Sequence, residues 1–203
     1  MGIMSLFRKR LPEDVYKEIA SKIVISSLAY RGKLVETNPQ LTGDAGAEIA
    51  YLLLHLVDRT AFQVLRTPQR DETIDAISKI VIGDYSRALF RPTTPSDVVV
   101  STGMKMLDDM NNRQSIYAAC QSFTGDPWPS RGTMVFACGY FIHKALGKTD
   151  RTGVDGILRG ERDVTEANMD AFPDTEDALK LAIYVGTCAE ELKLAEVLKK
   201  LNK

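Results

Sequence analysis

One uninterrupted stretch constrains this chain most: Asp44 to Arg66, D-A-G-A-E-I-A-Y-L-L-L-H-L-V-D-R-T-A-F-Q-V-L-R. It is free of proline and rich in good helix formers, so one long helix is the economical way to satisfy its backbone. Placed at helical spacing, Ile49, Ala50, Leu53, Leu54, Leu56, Val57, Ala61, Val64 and Leu65 occupy about half the circumference. Glu48, His55, Arg59 and Arg66 fall on the opposite face, flanked by Tyr51, Asp58, Phe62 and Gln63. The expectation is an amphipathic central helix over 44–66. Its mixed aromatic and charged stripe would meet solvent, another subunit or a polar cavity.

A helix with such an apolar face needs neighbours, and the rest of the chain supplies them. Pro12, Glu13 and Asp14 suit the start of a helix over 12–30, with Tyr16, Ile19, Ile23 and Tyr30 as its stripe and Gly32 available for a left-handed cap. Thr67-Pro68 opens a helix over 68–90, marked by Ile74, Ile77, Val81, Tyr85 and Ala88 and closed by Arg91-Pro92. The run Ile80-Val81-Ile82 also suits a strand, but the helical stripe extends beyond it. Thr94-Pro95-Ser96-Asp97 reads as a capping box with Asp in place of Glu, starting a helix over 95–122. Val98-Val99-Val100 is the chief strand alternative there, and Gly103 or Asn111-Asn112 the chief interruptions.

Residues 132–146 are apolar almost all round, which predicts the most buried helix, with Gly139 at a close crossing. A final helix over 175–201 carries Ala178, Ala182 and Gly186 on one face, beside Leu181, Val185, Cys188, Leu192, Ala195 and Leu198. The resulting fold class is all-α: one domain, 1–203, a bundle of about six principal helices. Between the last two helices, 148–174 mixes Gly153, Gly156 and Gly160 with charges of both signs. A structureless loop that long is unusual inside a domain, so short helices are expected in this excursion, for example near Thr165 to Phe172. Residues 1–10 are expected to fray.

Charge excludes more than it suggests. With 26 Lys and Arg against 27 Asp and Glu, the net charge of −1 creates no global field for nucleic acid or anionic lipid. Arg8-Lys9-Arg10 is the sole basic triplet. Cys120, Cys138 and Cys188 are odd in number and widely spaced, as expected of buried thiols in a reducing cytosol. The basic cluster follows the short apolar run at the start, the reverse of a secretory signal, and Leu6 breaks a myristoylation pattern. No run approaches the ~18 uncharged residues of a membrane helix. A soluble, cytoplasmic protein that binds neither nucleic acid nor membrane is expected.

No motif names a reaction. His55 has Tyr51 four residues before it and Asp58 three after, spacings that allow Asp58 to orient an imidazole. His143 is a second candidate if its helix packs nearby, although a cation in a last helical turn is already explained by the dipole. Glu48 lies too far along the axis to share an ion with His55, and no metal site is predicted. Asp108-Asp109-Met110-Asn111-Asn112 is superficially similar to the aspartate-rich motif of helical isoprenoid synthases, but no second metal motif accompanies it and a solvated face is the default. Trp128, between Pro127 and Pro129, either packs a rigid loop on the core or forms a lid.

Two functional readings result, with no cofactor named by either. The first is a helical binding or assembly protein that pairs with itself or another protein. The second is a ligand-binding protein or enzyme with an inter-helical pocket lined by His55, Asp58 and Arg59, with His143 as a further candidate. The candidate ligand or interface residues are Glu48, Tyr51, His55, Asp58, Arg59, Trp128 and His143.

Overall fold

The computed structural model describes residues 12–37, 44–120, 122–123, 133–146 and 175–202. Within them the chain is all-α. The helices are α1 (Pro12–Thr37), α2 (Asp44–Val64), α3 (Thr67–Ala88), α4 (Ser96–Ala119), α5 (Met134–Ala145), α6 (Thr175–Leu192) and α7 (Leu194–Leu198), followed by a 3-10 turn, Lys199–Asn202. The six long helices lie where hydrophobic periodicity places them. Both β-branched runs are helical, and neither Gly103 nor Asn111-Asn112 interrupts α4.

The bundle is built around α2, which touches α1, α3, α4, α5, α6 and α7. Every residue from Ala45 to His55 is buried, polar stripe included. Of the three settings expected for that stripe (solvent, another subunit or a polar cavity), its N-terminal part is enclosed within the bundle, because α4 and α5 pack on that side. The stripe reaches solvent only towards the C-terminal end, at Arg59, Phe62, Gln63 and Arg66. α5 is as buried as its composition predicts, from Met134 to Ile142.

At Gly46, α2 packs tightly against both α1 and α3. A Cβ there would collide with the Tyr85 hydroxyl and lie 2.8 Å from Arg31 Cβ and 3.0 Å from the Ser27 carbonyl oxygen. Glycine at this position is therefore a packing requirement.

Three boundaries differ from expectation, each for a local reason. α1 runs through Gly32 to Thr37, because one more turn lets Leu34 pack against the core. An exposed mid-helix glycine costs only about 1 kcal/mol against that burial. The capping box at Thr94 does not form: Pro95 holds the N-cap position with ψ 139° and no side-chain cap. The Thr94 amide instead donates to the Arg91 carbonyl, 2.9 Å, closing the preceding turn. The last helix breaks at Lys193, which adopts φ 46°, ψ 44°, and the new direction buries Leu194, Val197 and Leu198. The excursion 148–174, the fraying expected at 1–10 and the loop with Trp128 lie outside the described residues. No described helix is long and apolar enough to cross a membrane.

Candidate functional site

α4 brings an arginine to the polar side of α2. Its inward stripe reads Met106, Met110, Arg113, Tyr117, all buried and all spaced at three or four residues. Arg113 therefore enters the bundle at a position otherwise suited to an apolar side chain. Opposite it is Glu48, 4% exposed. The pair is bidentate: Arg113 Nε donates to Glu48 Oε2 at 2.9 Å, and Arg113 Nη2 to Oε1 at 2.8 Å. The guanidinium lies over the Phe141 ring, 3.6 Å from its centroid, so α5 closes the third side. The Cys138 thiol donates to the Glu48 carbonyl oxygen at 3.6 Å.

Burial pulls the Arg113 pKa down, but the Glu48 charge and its hydrogen bonds more than offset this, leaving it raised. The cation is thus fixed. Removing one member of such a pair costs about 3–5 kcal/mol, because the other is left charged and buried.

His55 lies two turns further along α2 and is 4% exposed. Its Nδ1 is 2.7 Å from Gln114 Oε1, and Gln114 Nε2 donates to the Tyr51 carbonyl oxygen at 3.1 Å. These two contacts fix the tautomer by inference. A carbonyl can only accept, so the amide must turn its NH2 to Tyr51 and its oxygen to His55. The proton of a neutral His55 is then on Nδ1, and Nε2 presents a bare lone pair. That Nε2 is buried and has no hydrogen-bond partner among the described residues. Desolvation lowers the His55 pKa, opposed by the Gln114 hydrogen bond, while Arg59 lowers it further and Asp58 raises it.

Two further buried hydroxyls are those of Tyr117 and Tyr140. The Tyr117 ring lies 5.6 Å from the His55 ring, and its buried hydroxyl meets only the Cys138 thiol, a weak hydrogen-bond partner. Burial holds that hydroxyl's pKa well above the usual phenol value, with the Cys138 and Glu48 charges adding to the effect. Tyr140, edge-on to Phe141 at 5.7 Å, has a buried hydroxyl without a hydrogen-bond partner among the described residues. Burying a polar group without a partner costs about 1–3 kcal/mol, so such atoms mark places where something else is accommodated.

The structure brings Glu48, Tyr51 and His55 together. Asp58 does not orient His55, as spacing suggested. It is held by Arg70 in two 2.8 Å hydrogen bonds from Nε and Nη2, and influences the imidazole through charge alone. Arg59 is exposed. The side chain of His143, in the last turn of α5, and all of Trp128 lie outside the described residues.

The layer's other members, Arg113, Gln114, Tyr117 and Phe141, escaped the sequence reading. One signal was present: an arginine inside the apolar stripe of α4 implies a buried carboxylate elsewhere, and Glu48 is the sole acid between Ala45 and Val57 of α2. Beyond Gln114 a groove of about 500 Å³ opens between α2, α3 and α4, lined by Asp58, Arg70, Ser78, Met110 and Asn111 among others. Gln114 thus separates this groove from His55.

The arrangement offers hydrogen-bonding groups without an activated nucleophile. Burial raises the Cys138 thiol far above its usual range, and raises Cys120 to about 11. All three cysteines are buried and free. Among the described residues no group of His, Cys, Asp or Glu could hold a metal ion, and Asp108 lies on an exposed face. No protein family, curated protein or solved structure matches this chain.

Proposed function

We propose that this is a helical ligand-binding protein that takes a small neutral molecule into the polar layer between α2, α4 and α5. One observation carries the reading: His55 Nε2 is buried with a bare lone pair and has no hydrogen-bond partner among the described residues, and the Tyr117 ring lies beside the imidazole, 5.6 Å away between centroids. The chemistry of the site defines the ligand class. Nε2 accepts a hydrogen bond, so the ligand carries a donor. Glu48 and Arg113 neutralise one another, so a charged guest would find no counter-ion. Rotation of Gln114 gives the route in, from the α2–α3–α4 groove.

The test is a thermal-shift and calorimetric titration with phenol, 2-propanol and acetamide as neutral donors of different shape. At least one should raise the melting temperature of the wild type; occupancy at a hundredfold excess over Kd corresponds to about 2.7 kcal/mol. His55→Ala and Tyr117→Phe should each abolish or reduce that shift while leaving a folded apo protein. A His55→Ala variant that loses stability, with no probe shifting the wild type, would assign His55 a structural role with an ordered water at Nε2.

A further inference from the structure

The corner between α2 and α3 presents an aromatic ring to solvent among arginines. The chain has no lysine between Lys33 and Lys79, and its cations in that stretch are Arg59, Arg66 and Arg70. Arg59 lies three residues before Phe62 on α2, the spacing of neighbours on one helix face. α2 closes where the Leu65 amide donates to the Ala61 carbonyl oxygen at 2.8 Å, and Arg66 then turns extended, with φ −74° and ψ 151°, ahead of α3. From α3, Arg70 reaches back to set its guanidinium 5.5 Å from the centroid of the Phe62 ring. Asp58, through its two hydrogen bonds, and Asp71, 3.6 Å from Nη1, hold that guanidinium in place. Phe62 is nonetheless 71% exposed, more than any other large hydrophobic side chain among the described residues.

Local structure accounts for part of this corner. Arg66 follows the last turn of α2, where a cation complements the helix dipole, and Arg70 is committed to Asp58. Neither reason covers the exposed ring of Phe62. Arg59 and Arg66 are exposed, and neither has an ion-pair partner among the described residues. Arginine and aromatic side chains concentrate at the centres of protein–protein contacts, where lysine is depleted. The charge balance narrows the occupant. Both aspartates of the corner, Asp58 and Asp71, are engaged with Arg70, so Arg59 and Arg66 are the cations left to pair. Glu72 and Asp75 follow on α3. A nucleic-acid duplex, with a charge about every 1.7 Å, would set phosphates against those acids. A segment with two carboxylates around an apolar residue needs two cations beside one ring, which is what the corner offers.

We propose that the α2–α3 corner docks a short acidic segment of another protein. Phe62 packs against an apolar side chain of that segment, and Arg59 and Arg66 pair with carboxylates on either side of it. Arginine suits this task because its planar guanidinium is weakly hydrated and meets a carboxylate through two parallel hydrogen bonds. Arg70, clamped by its aspartates, backs the ring and keeps it from folding onto α3. The corner lies outside the polar layer of Glu48, His55 and Arg113, and neither proposal needs the other.

Fluorescence anisotropy with the full chain at low ionic strength tests it, using a labelled peptide of about twelve residues that repeats Glu-Ala-Leu and so spaces its carboxylates about 10 Å apart when extended. The peptide should bind saturably with a Kd of roughly 10–300 µM, as a small exposed surface allows. Changing its glutamates to glutamine, or its leucines to serine, should weaken binding about tenfold. On the protein, Phe62→Ala should weaken it about tenfold, and Arg59→Gln and Arg66→Gln about threefold each. These positions are exposed, so circular dichroism and melting of the variants should match the wild type. Absence of saturable binding overturns the proposal, as does a Kd indifferent to Phe62→Ala and to both arginine variants. An oligothymidylate of equal length that binds more tightly through the same residues would overturn it in favour of nucleic acid. A wild-type dimer in sedimentation velocity that Phe62→Ala dissociates would overturn it in favour of a second copy of this chain.

Discussion

His55 is a neutral imidazole in the middle of a helical bundle, and its neutrality has a thermodynamic signature. Its folded pKa lies below the unfolded value of about 6.5, chiefly through desolvation. At pH above both values the two states bind the same protons and stability is undiminished. As pH falls below about 6.5 the unfolded chain takes up a proton that the folded chain refuses, so stability is lost until the folded pKa is reached. The slope in that window is at most about 1.4 kcal/mol per pH unit for one group. Urea unfolding at pH 7.5, 6.5 and 5.5 should therefore show a decline in the wild type that His55→Gln flattens. Equal slopes in both proteins would show that the imidazole is not the source. At this scale the sequence was partly legible. The position of His55 on a polar stripe was visible, but its partner was assigned by proximity along the helix, and Asp58 turned out to be committed to Arg70. Side chains three residues apart compete with every group that another helix brings, and here Gln114 from α4 reaches Nδ1 first.

Among the elements, glycines separate positions that sequence alone treats alike. Gly46 and Gly83 both lie inside helices, where alanine is intrinsically favoured by about 1 kcal/mol. At Gly83 a Cβ would meet nothing within 4 Å, so Gly83→Ala should stabilise by about 0.5–1 kcal/mol. At Gly46 the new methyl meets Tyr85, Arg31 and a backbone carbonyl, so Gly46→Ala should destabilise by about 1–3 kcal/mol despite the same propensity gain. Denaturant midpoints of the two variants check both signs; two stabilised proteins would mean that α1 and α3 yield at the crossing. Helix positions were readable because period and proline punctuation act locally. The continuation of α1 through Gly32 and the break at Lys193 were not, because each is decided by what Leu34 and Leu194 can reach once the neighbours are in place.

For the whole molecule, the common neighbour of almost every other helix is α2, and it should be the last element to open. Hydrogen exchange followed by mass spectrometry should place the slowest amides in Ala47–Val57, exchanging only through global unfolding. The 3-10 turn Lys199–Asn202, at the chain's end, should exchange orders of magnitude faster. Protection greater in α3 or α4 than in α2 would contradict the radial arrangement.

The sequence by itself determined that the described chain is all-helical and where its long helices lie. Those properties follow from periodicity, propensity and caps, which are local. Only the tertiary structure decided that Glu48 and His55 lie in the dry middle of the bundle instead of at its surface. Their fate depended on Arg113 and Gln114, more than fifty residues away in sequence. A charged or polar residue on a helix carries no mark of whether its complement will arrive. Burial of such a residue is a property of the pair, and the pair exists only once the helices have packed.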